Sequence, residues 1–219
     1  SAAETVCAGP VQARDAAVQA EAPEPDWIHC LFPESGIAVL RSGWTPDDMC
    51  LVLDANLAPW GGHAYPGRLS FDFSANGMAL VTNPGSYLGY TSSEHTKWLD
   101  QTLSHNTVMI GGQSQDRPYT ATICGWHASD NLGAVAAATR TNEERTGVVH
   151  ERIVLMIGGD YVFIIDSLHG GSQRVPVSWL LHSPQPLALD ADGVAATPGG
   201  QPGLIVVPDP VMRLRSRAQ

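Results

Sequence analysis

The stretch Arg68-Leu-Ser-Phe-Asp-Phe-Ser-Ala-Asn-Gly-Met-Ala-Leu-Val-Thr82 decides the fold. Its first half alternates apolar and polar residues, which is the period of a β-strand with one face in an apolar core. The apolar positions are Leu69, Phe71 and Phe73. Asn76-Gly77 follows, and both residues tolerate a positive φ, which favours a tight hairpin turn. The segment 78–82 is then apolar again, so the stretch predicts two antiparallel strands.

Short apolar runs of the same kind recur along the chain and are separated by glycine-, proline- and asparagine-containing turns. Further strands are predicted at 36–41, 49–54, 107–110, 133–139, 148–157, 161–166, 175–182 and 204–207. Many short strands with turns between them are typical of an all-β protein, here an antiparallel β-sandwich. The segment 91–105 is the long stretch without a strand pattern, and it could hold a helical turn.

The first part of the chain differs in composition from the rest. Pro10 suits the first position of a helix that Pro23 and Pro25 would end. Because its apolar stripe is thin, residues 1–26 are interpreted equally as a terminal helix or as a linker. Residues 27–219 are long enough for one core and are predicted to form one domain. The three arginines of 212–219 follow a strand, so the domain is expected to be truncated there.

The charge balance narrows the choice of partners. The chain has 22 acidic and 12 basic residues, a formal net charge of -10. Such a chain binds nucleic acid and anionic membranes poorly, so neither is an expected partner. No apolar run approaches the ~20 residues of a membrane span, and no signal peptide pattern is visible. Its four cysteines lack metal-site spacing, which favours free, partly buried thiols over a disulfide.

Two polar stretches are candidates for chemistry. In Trp60-Gly-Gly-His-Ala-Tyr-Pro-Gly-Arg68, His63 follows two glycines, which allow a ligand to approach closely. The ordinary pKa of histidine suits proton transfer near neutrality, although a lone loop histidine is more often structural or solvated. In the second stretch, Ser104-His-Asn-Thr107, four hydrogen-bonding side chains precede a strand. The alternative is that these side chains only form hydrogen bonds that hold a loop together.

Six ordered pieces together resemble the heparinase II/III-like family, over roughly residues 31–208. The pieces are 32–44, the Gly-Gly-His to Leu-Ser-Phe segment 61–71, Asn83-Pro-Gly-Ser-Tyr87, Ser104–Val108 with Gly-Gly-Gln113 and Gln115, 150–166, and Trp179-Leu-Leu-His182.

The resemblance implies a fold and an activity. Family members carry an α/α-toroid followed by an antiparallel β-sandwich, and many cleave uronate-containing polysaccharides by β-elimination. The toroid supplies a catalytic tyrosine and a histidine or asparagine, and the sandwich supplies a histidine that matches His63. The candidates for contact with an acidic polysaccharide or oligosaccharide are Tyr65, Arg68, Tyr87, His105 and Asn106. The resemblance also implies a periplasmic or secreted enzyme.

The sequence departs from the family at its structural zinc site. Many relatives have His-x-His-x-Asp in the first loop, where this chain has Tyr65 and Gly67. A further ligand position is occupied by Asn83, which leaves His105 as the plausible zinc ligand. Zinc favours thiolate, imidazole and carboxylate, so no metal or other cofactor is predicted. A hydrogen-bonded Tyr65–Asn83–His105 cluster is expected to hold the loops instead.

Three functional hypotheses follow, and whether this chain is an enzyme stays open. It is the sandwich part of a polysaccharide lyase, inactive without its helical toroid. Alternatively it is a non-catalytic carbohydrate-binding or scaffolding sandwich, or a plain structural domain. Four tryptophans could stack on sugar rings, although tryptophan in a sandwich is more often part of the core. They are Trp44, Trp60, Trp98 and Trp126.

Overall fold

The computed structural model describes residues 24–55, 65–85, 92–93, 95–116, 120–171, 174–192, 194–198 and 204–207. The predicted N-terminal helix over 10–22 lies outside these residues, as do His63, Tyr87 and Trp60. In the part that is described, no helix is long and apolar enough to cross a membrane.

Two antiparallel sheets form the body of the protein. The first has the order β1-β2-β3-β4-β5 and consists of Cys30–Phe32, Ile37–Arg41, Cys50–Asp54, Ser70–Ala75 and Met78–Val81. The second has the order β10-β9-β8-β7 and consists of β7 Ala121–Ser129, β8 Leu132–Thr139, β9 Val148–Ile157 and β10 Tyr161–Gly170. A two-stranded sheet pairs β6 Val108–Ile110 with β11 Val177–Trp179, and a small sheet joins β12 Ala188–Leu189, β13 Ala195–Ala196 and β14 Ile205–Val206.

The predicted hairpin is confirmed, with one difference at its start. Asn76 and Gly77 have φ values of 53° and 70° and connect β4 to β5. Leu69, however, has φ 61°, and the Ser70 amide donates to the Gly67 carbonyl at 3.1 Å. The chain therefore turns at 67–70, and the strand begins at Ser70, two residues later than the alternation suggests.

The core lies between the inner faces of the two large sheets. On β9 every second residue from Val148 to Met156 is buried, as expected for a strand that covers a core on one face. The largest cluster joins residues from both sheets: Ala38, Leu40, Leu51, Leu53, Ala55, Leu69, Phe71, Val81, Ala121, Val135, Ala137, Val154 and Met156. This arrangement confirms the predicted antiparallel β-sandwich.

Helix is scarce, as predicted: 7% of the structure is helical and 47% is strand. A π-helical turn, His95–Leu99, and a 3-10 turn, Thr102–Ser104, fall within the segment 91–105. One α-helical turn, α1 Glu143–Thr146, was not expected, and Gly147 ends it with φ 69°. The longest strand that the pattern missed is β7, because a register shift between Ile123 and Gly125 interrupts its alternation.

Candidate functional site

The site forms where β3 ends, where β4 begins and where the chain enters β6. Asp54 is the last residue of β3, and it pairs in register with Ser70, the first residue of β4. Tyr65 follows the segment 56–64 in the chain, while His105 and Asn106 come from the turn before β6. Antiparallel pairing thus brings residues far apart in sequence to one end of the first sheet.

His105 is the central side chain of this site, and it is only 5% exposed. Its ring stacks on Tyr65 with 4.7 Å between centroids and 29° between planes. Its Nε2 lies 3.2 Å from the Leu99 carbonyl and its Nδ1 lies 3.3 Å from Asn83 Oδ1. Burial lowers the pKa of His105 to about 4. The neutral ring therefore donates to one of the two oxygens at a time.

Asn83 is held in one orientation by its neighbours. Its backbone amide and its side-chain Nδ2 donate to the two oxygens of Asp72, at 2.7 Å and 3.0 Å. Nδ2 also donates to the Phe71 carbonyl at 3.2 Å. Oδ1 consequently faces the other way, where it accepts the Asn106 amide at 3.1 Å and approaches His105.

Tyr65 contributes its ring to His105 and its hydroxyl to another partner. The phenol donates a hydrogen bond to Asp54 Oδ2. Burial and the Asp54 carboxylate raise the pKa of Tyr65 well above its ordinary value, so the phenol stays protonated. The expected cluster of Tyr65, Asn83 and His105 therefore exists, but Tyr65 joins it by stacking, and its hydrogen bond goes to Asp54.

Gly67 explains why the two rings can meet. A Cβ at this position would lie 2.7 Å from ring atoms of both His105 and Tyr65. The absence of a side chain at residue 67 thus leaves room for the Tyr65 ring against His105.

The donor set fits zinc poorly. Within the described ranges, no group of three histidine, cysteine, aspartate or glutamate side chains could hold a metal ion. The Asp72 oxygens accept hydrogen bonds from Asn83, and the Asn83 oxygen faces the Asn106 amide. Zinc prefers imidazole, thiolate and carboxylate over a carboxamide or a protonated phenol. The absence of a metal stays a prediction that these contacts support.

Arg68 and Asn106 hold neighbouring segments together. Arg68 is fully buried, and its guanidinium donates to the Tyr65 carbonyl at 2.8 Å. Asn106 donates to the Phe71 carbonyl at 3.0 Å and accepts the His182 amide at 2.6 Å. The contacts seen for Arg68, His105 and Asn106 are with protein, so their predicted contact with substrate stays a prediction.

The tryptophans divide into core and surface. Trp126 packs against the main core, and Trp98 meets His182 edge-on with 5.8 Å between ring centroids. Trp27, which the sequence did not single out, is 44% exposed and packs edge-on against Trp44 at 5.0 Å. The guanidinium of Arg41 lies 4.5 Å from the centre of the Trp44 ring.

Sequence reasoning missed the two carboxylates of the site, Asp54 and Asp72. Both lie in strands, on positions that pair across β3 and β4 with Ser70 and Val52. A weak signal existed for Asp54, since it is an acidic residue at the end of a predicted strand, nine residues before His63. Asp72 is one of the polar positions of the alternating stretch 68–74, which by itself carries no functional signal.

The family model for the heparinase II/III-like C-terminal domain matches residues 25–217. Two curated relatives are heparin-sulfate lyases. The one from Pedobacter heparinus is 26% identical over 162 residues, which cover 72% of this chain and 24% of that protein. The one from Bacteroides thetaiotaomicron is 25% identical over 154 residues, 65% of this chain and 21% of that protein. The chain thus spans less than a quarter of the length of these relatives.

Solved structures share the fold. A heparinase III structure superposes with a TM-score of 0.70 at 25% identity, and the match covers 79% of this chain and 27% of that one. The crystal structure of heparan sulfate lyase from Pedobacter heparinus gives a TM-score of 0.71 at 22% identity, over 80% of this chain and 28% of that one. Because the family model matches residues 25–217 and the fold is the antiparallel sandwich, this chain belongs to the heparinase II/III-like C-terminal domain family.

Proposed function

We propose that this chain is the β-sandwich part of a polysaccharide lyase that cleaves uronate-containing polysaccharide by β-elimination. The family match over residues 25–217 carries the proposal, and two curated relatives that are heparin-sulfate lyases support it. Because the chain spans only part of those relatives, a helical toroid in the parent protein would complete the active site. The family resemblance also supports a periplasmic or secreted location, which is part of the proposal.

The reaction requires three tasks. A base removes the proton on C5 of the uronate, and the electrons of that C–H bond form the C4=C5 double bond. The C4–O4 bond breaks, and an acid protonates the leaving O4. Negative charge builds on the carboxylate side of the sugar during proton removal, so donors fixed near it stabilise the transition state.

His63 is the residue of this chain proposed to touch the substrate, as base or as donor to the uronate carboxylate. Tyr87 is proposed as a further contact. The buried side chains of the described site have a different part in this proposal. Asn83, His105 and Asn106 join the ends of several strands around the loop region and so keep the surface that faces the substrate in one arrangement.

The test is a lyase screen on the full-length parent protein. Heparan sulfate, heparin and alginate are offered separately, and the ultraviolet absorbance of the unsaturated uronate product is followed. We expect turnover of at least one of these polymers and a ~10²–10⁴-fold lower rate for His63→Ala, the range for a positioned acid or base. If no polyuronate gives a product, the lyase activity is wrong. If His63→Ala keeps full activity, the role of His63 is wrong.

A non-catalytic carbohydrate-binding role is the second candidate, and the surface pair Trp27 and Trp44 favours it. An exposed indole beside an arginine is suited to a sugar ring with an acidic substituent. If this role is the right one, the parent protein binds heparan sulfate without cleaving it. Trp27→Ala then weakens binding in isothermal calorimetry, while His63→Ala leaves binding unchanged.

A further inference from the structure

We propose that the outer face of the second sheet is an interaction surface that packs against the polypeptide preceding this domain in the parent protein. The surface, called the outer apolar face below, consists of every second residue of 132–136 in β8, 153–157 in β9 and 161–165 in β10. The inference rests on the proposed function only because it places this domain within a longer protein.

Strand register brings these residues together on one face of the sheet. Leu155 of β9 pairs with Ala134 of β8 on one side and with Phe163 of β10 on the other. The rows centred on Ile153 and Ile157 follow the same pairing. Between them Val154 points into the main core, so the three rows face the opposite way, because successive side chains of a strand alternate between faces.

The sequence of β9 and β10 is that of strands covered on both faces. A strand with one face in water alternates apolar and polar residues, whereas a strand buried on both faces is a continuous apolar run. The runs 153–157 and 161–165 contain no charged residue. The large side chains at this edge of the sheet are nevertheless 40% to 65% exposed: Ile157, Tyr161, Phe163 and Ile165.

The outer face of the first sheet has a different composition, although it belongs to the same molecule. Across β2, β3 and β4 its three rows of paired residues each contain a charged side chain, which is Asp54, Asp72 or Arg41. The three rows of the outer apolar face contain none, in a chain with a net charge of -10. Water therefore suits the first face, and an apolar partner suits the second.

The size of the outer apolar face indicates the kind of partner. Strands lie ~4.8 Å apart and alternate residues ~6.7 Å apart, so three strands by three rows cover roughly 300 Å². A stable interface between separate chains needs about 800 Å² on each partner. Interfaces between domains of one chain begin at about 600 Å² in total, or about 300 Å² on each side. The area thus fits a covalently linked partner and is too small for a second copy of this chain.

The comparisons indicate where a linked partner would come from. This chain covers 24% and 21% of the two curated relatives, so most of a protein of that length lies outside it. The matching family model is that of a C-terminal domain, so the additional polypeptide precedes the sandwich. Covalent linkage supplies a high effective concentration, so a small apolar contact is enough to hold the two parts together.

Thiol labelling of the full-length parent protein tests the inference. Ile165→Cys places a thiol in the outer apolar face, and Asp160→Cys places the matched control in the adjacent exposed turn. Both variants are treated with a maleimide under native conditions, and peptide mass spectrometry follows each cysteine separately. We expect the thiol at position 165 to react at least ~10-fold more slowly than the thiol at position 160, because the reagent reaches it only in transiently opened molecules.

Hydroxyl-radical oxidation of the unsubstituted parent protein, measured at Tyr161 and Phe163, gives the same information if Ile165→Cys does not fold. We expect both rings to be protected in the native protein and oxidised after unfolding in urea. Equal labelling of the two thiols, or rings that react as fast as in urea, would overturn the proposal. Protection that disappears on dilution would overturn it in favour of a second copy. A protected face in a parent protein that cleaves no polyuronate would overturn the lyase activity and leave this inference standing.

Discussion

His105 is the residue on which the described site is centred, because it touches Tyr65, Asn83 and Leu99 at once. Replacing it with alanine takes the imidazole away from the Leu99 carbonyl and from Asn83 Oδ1, and removes the ring on which Tyr65 stacks. We expect His105→Ala to lower the free energy of unfolding by ~1–3 kcal/mol, the cost of leaving buried polar groups unpaired.

Urea unfolding of the parent protein checks this expectation. His169→Ala is the control, because the His169 side chain is 62% exposed and its loss should change stability by no more than about 0.5 kcal/mol. Equal stabilities of the two variants would show that the contacts of His105 contribute nothing measurable.

The metal content of the protein depends on individual residues as well. The Asn83 carboxamide is held by Asp72 and the Tyr65 phenol stays protonated, so the polar groups around His105 bind zinc weakly. We expect elemental analysis of protein purified without chelator to find well under one zinc per chain. A stoichiometric zinc that is lost in His105→Ala would contradict this.

Strands β9 and β10 are joined by a buried ionic network. Asp166 on β10 accepts from Arg152 at 2.8 Å and 2.9 Å, from His150 at 2.6 Å and from the Trp179 indole at 2.9 Å. Arg152 also donates to the carbonyls of Leu69 and Asn106, so the network reaches the candidate site. Burial alone would raise the pKa of Asp166, but the charge of Arg152 and the hydrogen bonds lower it below its ordinary value.

Removing one member of a buried network costs more than removing an exposed charge. Asp166→Ala leaves the Arg152 guanidinium buried without its counter-ion, and we expect a loss of ~3–5 kcal/mol in stability. Asp160→Ala in the exposed β9–β10 turn is the control and should change stability little. Thermal unfolding of both variants measures the difference, and similar melting temperatures would mean that the network contributes little to the fold.

The stability of the protein in acid depends on the whole molecule, because burial affects the pKa of histidines in several parts of the fold in the same direction. Burial lowers the pKa of His29, His105, His150 and His182 below the ordinary 6.5. His29, for example, accepts the Arg41 amide at 3.2 Å, and a Cβ on Gly133 of the opposite sheet would touch its ring. The unfolded chain therefore binds more protons than the folded one between about pH 4 and pH 6.5.

This difference in bound protons makes the folded state less stable as the pH falls. Stability is fully present above pH 6.5 and is lost as the pH falls through this window, with His105 alone contributing on the order of 3 kcal/mol. We expect the melting temperature to fall steadily from pH 7 to pH 4.5, and to fall less steeply in His105→Ala. Asp166 adds to the loss only below its ordinary value of 3.8. A melting temperature that is level across the window would contradict this.

The activity of the isolated chain is a second property of the whole molecule. Under the proposed function, a helical toroid in the parent protein would supply the catalytic tyrosine and its partner and would help to position the polymer. Positioning can lower a barrier by ~7–11 kcal/mol, so its loss abolishes measurable turnover. We expect a folded 219-residue preparation to release no unsaturated uronate from heparan sulfate. Robust turnover by such a preparation would show that the domain is sufficient.

The sequence by itself determined the fold class and most strands, because alternation reports local burial. β9 follows this pattern closely. The pattern failed where geometry departs from a regular strand, as at the register shift in β7 and the positive φ of Leu69. The family pieces also identified His105 and Asn83 as neighbours, which their 3.3 Å approach confirms.

Only the tertiary structure decided which polar groups meet. The partners Asp54 and Tyr65 are 11 residues apart, and Arg152 and Leu69 are 83 apart. Such contacts depend on the register of several strands and on the direction in which each side chain points from the sheet. A local alternation in the sequence predicts neither. Asp54, Asp72 and the Asp166 network therefore emerged from the fold, because hydrogen bonds form between atoms brought within about 3 Å, whatever their separation along the chain.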